Sequence, residues 1–220
     1  MGRPAIVERA RIHAALGDPG RLAIVEDLWV SDRSPKELSA RLGMPSNLLA
    51  HHLDVLEAAG AIERSASAGD ARRRYVRLRP GVARVAGPPD IAIKREVLFL
   101  CTHNSARSQL AAALWCSRTG RKAASAGTRP AQRVHPGAVA AARRAGLSMT
   151  GAKPTAVDSI PRGVQVITVC DLVHEELDAA TDWWHWSIPD PVTTGRAARF
   201  DAVVGDIEQR IARIQEGISR

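Results

Sequence analysis

Cys101, Arg107 and Ser108 are the residues whose types and spacing best fit covalent chemistry. The segment reads Cys101-Thr102-His103-Asn104-Ser105-Ala106-Arg107-Ser108. It follows the apolar run Val97-Leu98-Phe99-Leu100 and precedes a helical pattern from Ser108 to Trp115. A loop between strand and helix aims backbone N–H groups and a helix N-terminus at one point. A tetrahedral oxyanion fits that point, and an arginine forks two hydrogen bonds to it. The same field favours a thiolate at Cys101, a nucleophile beneath a bound anion. The alternative is a buried structural cysteine with an unrelated surface arginine.

Downstream, Trp183-Trp184-His185-Trp186-Ser187-Ile188-Pro189-Asp190-Pro191 offers a second reactive group. Asp190 on a loop can protonate a leaving oxygen while Cys101 attacks. A turn-forming Asp-Pro accounts for the same dipeptide, and the residues alone leave both open. Two more cysteines are present, Cys116 and Cys170. Cys116 lies about 14 Å along the expected helix from the loop and reads as core. Cys170 fits a small buried core residue.

These groups need elements to position them. Candidate strands at 95–101, 122–126 and 164–170 alternate with candidate helices at 108–118, 135–145 and 197–218. That alternation predicts an α/β domain with a mostly parallel sheet. The first part of the chain has another pattern. A helix is expected over 5–16, and Asp18-Pro19 and Ser34-Pro35 each open a further one. Gly43 ends the second of these, Pro45-Ser46-Asn47 starts another, and Gly60 ends that. Ala61–Arg64 and Arg72–Arg79 flank a polar turn and predict a β-hairpin. Pro80-Gly81 and Gly87-Pro88-Pro89 bracket a linker. The expected domains are therefore 1–82 and 94–220, joined by a linker at 83–93.

Composition narrows the partners. The 220 residues carry a formal net charge of +8. Residues 1–90 hold 14 Lys and Arg against 11 Asp and Glu, and the remainder 17 against 12. The excess is thus spread over both halves and suits nucleic acid, phosphate or a similar oxyanion. Three cysteines, an odd number, with no secretion signal, argue against a disulfide scaffold and for a reducing cytoplasm. No stretch approaches the roughly 20 apolar residues of a membrane span.

Two helices joined by Leu42-Gly43-Met44-Pro45, followed by a hairpin, suggest a helix-turn-helix with a wing. Ser46, Asn47, His51 and His52 on the second helix are expected to reach phosphates or base edges. Leu53, Leu56 and Ile62 pack beneath. Arg72, Arg73, Arg74 and Arg77 in the wing are expected on backbone phosphate. His13, His51 and His52 read as helical or DNA-facing histidines, because no thiol or carboxylate cluster accompanies them; no metal is expected. With Glu37-Leu38, Ser46-Asn47-Leu48, His51–Leu56, Ala59–Ile62 and Arg73–Leu78, residues 10–80 resemble the ArsR-type winged-helix repressors. The resemblance implies a homodimer on operator DNA. Many such repressors sense As(III) or a metal through a cysteine pair on the first helix of the motif. Here that place is Ser34-Pro35-Lys36-Glu37, without a thiol.

Residues 94–218 resemble the low-molecular-weight tyrosine phosphatase fold, and more closely its arsenate reductase branch. The carrying residues are Val97–Cys101, Asn104, Arg107, Ser108, Gln109, Ser125-Ala126-Gly127, Val166–Asp171, His185-Trp186 and Asp190-Pro191. The resemblance implies that Cys101 is the nucleophile, that Arg107 and the Thr102–Ala106 loop hold arsenate or phosphate, that Ser108 hydrogen-bonds the thiolate, that Asn104 shapes the loop and that Asp190 is the acid. It further implies no bound cofactor and a small-thiol reductant of the mycothiol or glutathione type, with its reductase system. Cys170 stands where a first relay cysteine is expected, which implies a thiol that resolves Cys101 once, Leu177 stands where the second would be, and Ala112 where some relatives place a potassium-holding carboxylate. Val192 follows Asp190-Pro191, where a tyrosine phosphatase usually has an aromatic residue. Two readings follow for the fused chain, a regulator joined to an arsenate reductase and a regulator whose second half only senses oxyanion or redox state. Protein tyrosine phosphatase is a third.

Overall fold

The computed structural model describes residues 3–177, 182–193 and 195–218. It divides into two compact units, the first running to Ile91 and the second spanning Ala92–Ile218.

The first unit contains helices α1 (Arg3–Leu16), α2 (Pro19–Asp27), α3 (Pro35–Leu42) and α4 (Ser46–Ala58), strands β1 (Ile62–Ala66) and β2 (Arg74–Leu78), and a short α5 (Ala83–Ala86). Local chemistry sets the boundaries. Asp18 accepts the Arg21 N–H at 2.9 Å ahead of Pro19. Ser34 and Glu37 form a reciprocal capping box, which satisfies two of the orphan amides at the start of α3. Gly43 closes α3 at φ +63°, a conformation that costs a side-chain-bearing residue about 1 kcal/mol. Pro45 gives α4 no side-chain cap. Leu38, Leu49, Leu53 and Leu56 then bury against Ile24, Leu28 and Trp29. Strands β1 and β2 pair antiparallel, and Arg33 adds a bridge to Val76 through backbone hydrogen bonds of 3.1 and 2.7 Å. The arginine strand is shorter than expected, since Arg72 and Arg73 lie in the turn before β2. The stretch read as linker is also partly folded: Ala83, Val85 and Ala86 pack on this core.

The second unit holds β3 (Glu96–Cys101), α6 (Arg107–Thr119), β4 (Ala123–Gly127), α7 (Pro136–Arg144), β5 (Val164–Thr168), α8 (Asp171–Glu176), β6 (Trp184–His185) and α9 (Ala197–Gly217). Its sheet is parallel throughout, in the order β4-β3-β5-β6. The unbroken apolar run of β3 suits a central strand buried on both faces, and Val97 through Cys101 are all buried. Phe99 lies edge-on to Trp115 and tilted against Trp186, so Trp186 is a core residue. Phe200, Val203, Val204, Ile207, Ile211 and Ile214 bury one stripe of α9 at the helical period. Strand β5 stops at Thr168, short of the expected 170, and α8 and β6 are elements that the apolar periodicity did not separate. No described helix is long and apolar enough to cross a membrane.

Candidate active site

The loop from Thr102 to Ala106 joins the C-terminal end of β3 to α6, where a parallel sheet presents its ligand-binding edge. Its backbone is held inside out. The carbonyls of Thr102, His103 and Ser105 accept the N–H groups of Arg129, Ala131 and His135 at 2.8–2.9 Å. With those carbonyls turned away, the loop amides are left to face inward as an anion nest. Gly127 makes the approach possible, because a Cβ there would sit 2.6 Å from the Thr102 carbonyl oxygen and 2.9 Å from the Asn104 nitrogen.

Cys101 is buried at the bottom of the loop. Its Sγ accepts the Asn104 N–H at 3.2 Å and lies 2.9 Å from Ser108 Oγ. Asn104 Nδ2 donates to that same hydroxyl oxygen at 2.8 Å, which leaves the Ser108 proton to point at sulfur. Asn104 is the one non-glycine described residue with positive φ, at +46°. Its side chain holds it there: Oδ1 accepts from Gln109 Nε2 at 3.0 Å and from the Thr155 N–H at 2.9 Å.

Arg107 opens α6 and is buried. It donates through Nη1 to the Ile188 carbonyl at 3.0 Å and through Nη2 to Asp190 Oδ2 at 2.9 Å. Asp190 Oδ1 accepts the Val192 N–H at 2.9 Å, which fixes the carboxylate over the loop. Cys101, His103, Arg107, Asp190 and Val192 thus border one cavity of about 170 Å³. The arrangement presents a nucleophilic sulfur, inward amides, a guanidinium and a carboxyl group to one small anion-sized space.

Cys170 lies two residues beyond β5, as the N-cap of α8. Its Sγ is 3.5 Å from Thr102 Oγ1, so a side chain of the loop reaches this second buried thiol. Burial pushes the Cys170 thiol up, with the positive field of Arg107 acting the other way. Behind it, Asp171 Oδ1 and His185 Nε2 are 3.0 Å apart, and Thr168 Oγ1 lies 2.8 Å from His185 Nδ1 and 3.1 Å from His174 Nδ1. This buried network anchors α8. Cys116 is exposed and not core as expected; its Sγ sits 3.9 Å from the Ala123 carbonyl.

In the first unit, Ser46, Asn47 and His51 are exposed on α4. His52 is not: it turns inward, 7 % exposed, with Nδ1 3.8 Å from Asp18 Oδ1. Placing Leu49, Leu53 and Leu56 in the core carries His52 inward with them, which corrects the expectation that it faces DNA. In the hairpin, Arg72 is held by Asp70 at 3.2 Å, and Arg77 and Arg79 both engage Glu63. Arg74 is exposed.

Sequence reasoning assigned no role to Gln109, Thr155 or the amides at 129, 131 and 135. Gln109 and Gly127 stand within the quoted motifs, whereas backbone amides leave no signal in side-chain identity.

Comparison with known proteins places the second unit. Residues 96–220 match the family described as low molecular weight phosphotyrosine protein phosphatase. An arsenate reductase of Bacillus cereus strain Q1 is 32 % identical over 131 residues, covering 56 % of this chain and 96 % of the relative. The tyrosine phosphatase Wzb of Escherichia coli K30, solved in complex with sulphate, shares the fold at 21 % identity and a TM-score of 0.50, over 56 % of this chain and 98 % of that one. The anion-sized cavity over Cys101 therefore sits in an arsenate reductase and phosphatase type of domain, and the chain belongs to the low molecular weight phosphotyrosine protein phosphatase family.

Proposed function

We propose that the chain is a DNA-binding regulator fused to a thiol-dependent arsenate reductase. The carrying observation is the convergence of Cys101 Sγ, the loop amides, Arg107 and Asp190 on one small cavity. Arsenate binds the loop amides and Arg107, displacing the guanidinium from Asp190. The Cys101 thiolate attacks arsenic, an As–O bond breaks, and Asp190 gives its proton to the departing water. A small thiol of the mycothiol or glutathione type then attacks Cys101 Sγ. The S–As electron pair stays on arsenic, which leaves as As(III), and a mixed disulfide remains. A second thiol regenerates Cys101, so two thiols lose the two electrons that arsenic gains. Val192 at the cavity rim, with no aromatic ring to stack a phenyl ester, favours arsenate over phosphotyrosine.

For the first unit we read a winged helix-turn-helix. In support, α3 and α4 are joined through Gly43-Met44-Pro45, Arg33 bridges β2, and Ser46, Asn47 and His51 line the exposed face of α4. Arg73 and Arg74 near the hairpin turn fit backbone phosphate. Ile6 and Val7, large apolar side chains exposed on α1, fit the homodimer that such operator binding uses.

A second reading, a non-turnover oxyanion or redox sensor, is favoured by Cys170 lying near Cys101 while Leu177 fills the next relay place. A Cys101–Cys170 disulfide is then an endpoint that no third cysteine opens.

Incubation of the purified protein with arsenate, low-molecular-weight thiols and their reductase tests the first reading; no Cys101-dependent As(III) formation with any thiol overturns it. Gel shifts with upstream DNA test the rest. Loss of the shift in Arg73→Ala/Arg74→Ala supports the DNA-reading unit, and indifference of the shift to arsenate, phosphate and Cys101→Ser eliminates the sensor.

A further inference from the structure

The catalytic loop occupies the C-terminal edge of the sheet, and the cations of the second unit gather at the opposite one. Arg95 precedes β3, Arg121 and Lys122 precede β4, and Arg162 precedes β5 by two residues. The register puts Val97 level with Ala123 and Glu96 level with Val164, so these four residues share the N-terminal edge of three adjacent parallel strands. Ile93, Arg95, Glu96, Gly120, Arg121 and Lys122 border a depression of about 530 Å³ there.

Among the described residues these four cations have no carboxylate partner, and what sets them apart from other such cations of this unit is their place on one edge of the sheet. Lys94 is neutralised by Asp182 at 2.7 Å, and Arg118, Arg129 and Arg144 by Glu208, Glu176 and Asp201. Among the described residues, no ion pair or hydrogen bond engages the side chains of Arg95, Arg121, Lys122 or Arg162, and Glu96 is the one acidic residue lining the depression. Unpaired like charges held on one edge repel one another and gain from a polyanion that spans them. Catalysis does not call on them.

We propose that this edge is a phosphate-backbone contact surface for duplex DNA, additional to the helix-turn-helix. The inference rests on the DNA-binding reading of the first unit. It identifies the chemistry as sequence-independent: arginine and lysine on successive phosphates, releasing counterions. A surface spanning three strands fits a row of phosphates better than a single small oxyanion, and Arg95 lies two residues past the 83–93 segment that joins it to the DNA-reading half.

The test is fluorescence anisotropy of the full chain on a labelled random-sequence duplex across a salt series, with Arg95→Gln/Arg121→Gln/Lys122→Gln/Arg162→Gln and the charge-keeping Arg95→Lys/Arg121→Lys/Arg162→Lys. Each lost phosphate contact removes about 0.9 from the slope of log K against log salt. The expected result is a slope shallower by about 2–4 in the glutamine variant, equal on every sequence, and unchanged in the lysine variant. An unchanged slope in the glutamine variant overturns the proposal, as does an equal loss in the lysine variant or phosphate binding at this edge without a DNA effect. If Arg73→Ala/Arg74→Ala leaves binding intact while the glutamine variant weakens it, the helix-turn-helix reading fails and this surface stands.

Discussion

Asn104 is where conformation and chemistry depend on one side chain, which makes its replacement the sharpest test of the site. Asn104→Ala removes the acceptor of Gln109 Nε2 and of the Thr155 N–H, and the donor to Ser108 Oγ. A buried donor left unsatisfied costs about 1–3 kcal/mol. Gln109 is buried but keeps its second Nε2 bond, to the Lys153 carbonyl at 3.0 Å, so it loses one of two, while Thr155 is exposed and its amide finds water. The expected loss is about 1–3 kcal/mol, a sizeable share of the 5–15 kcal/mol typical of a whole protein. Alanine also keeps the left-handed backbone at φ +46°, and Asn104→Gly relieves it. Glycine should therefore recover about 1 kcal/mol relative to alanine, though it restores none of the hydrogen bonds. Urea unfolding followed by tryptophan fluorescence reads this out in a Trp29→Phe background, which confines the remaining tryptophans to the second unit. With a mid-range slope of about 2 kcal/mol per molar urea, the Asn104→Ala midpoint moves by about 0.5–1.5 M. A midpoint unchanged from the parent, or a glycine variant less stable than the alanine one, refutes the reasoning.

Asp190→Asn frees Arg107 from its ion pair and removes a negative charge from the cavity rim. Phosphate affinity measured by calorimetry should rise about tenfold, equivalent to about 1.4 kcal/mol, while As(III) formation falls at least ~100-fold with loss of the acid. Weaker phosphate binding in this variant contradicts the displacement step. Glu63→Gln releases Arg77 and Arg79 in the hairpin; duplex binding should tighten and its salt slope steepen by up to about 2, and an unchanged slope places both arginines away from phosphate. Burial pushes the Cys170 thiol up. A folded-state value above the unfolded one gives stability that is complete below the unfolded thiol pKa of about 8.5 and is lost as pH rises through the folded one. Unfolding free energy of the second unit should then decline above about pH 8.5, less steeply in Cys170→Ala. Iodoacetamide should label Cys170 only slowly near neutral pH, and prompt labelling there removes the basis for this pH dependence.

The order of elements was readable wherever local chemistry dominates. Asp18, Ser34 with Glu37, and Gly43 marked helix ends through capping, and the apolar run before Cys101 marked a central strand. Legibility stopped where tertiary geometry decides. His52 reads as a polar residue on a recognition helix, yet two turns of α4 commit its neighbours Leu49, Leu53 and Leu56 to the core and the histidine goes with them. Arg77 reads as a free cation, but antiparallel register sets it opposite Glu63. The same limit applies to the loop: Cys101, Asn104, Arg107 and Ser108 were visible as types at a spacing, whereas the three amides that turn the loop carbonyls outward come from residues 129, 131 and 135, whose side chains are irrelevant to the contact. Charge on this chain thus divides by pairing more than by composition. Arginines held by a carboxylate, such as Arg77 and Arg107, must exchange that partner for an anion, and their response to ligand is a competition. Arginines with no carboxylate partner among the described residues, such as Arg95 and Arg162, have none there to give up, so any anion effect is additive and follows ionic strength alone.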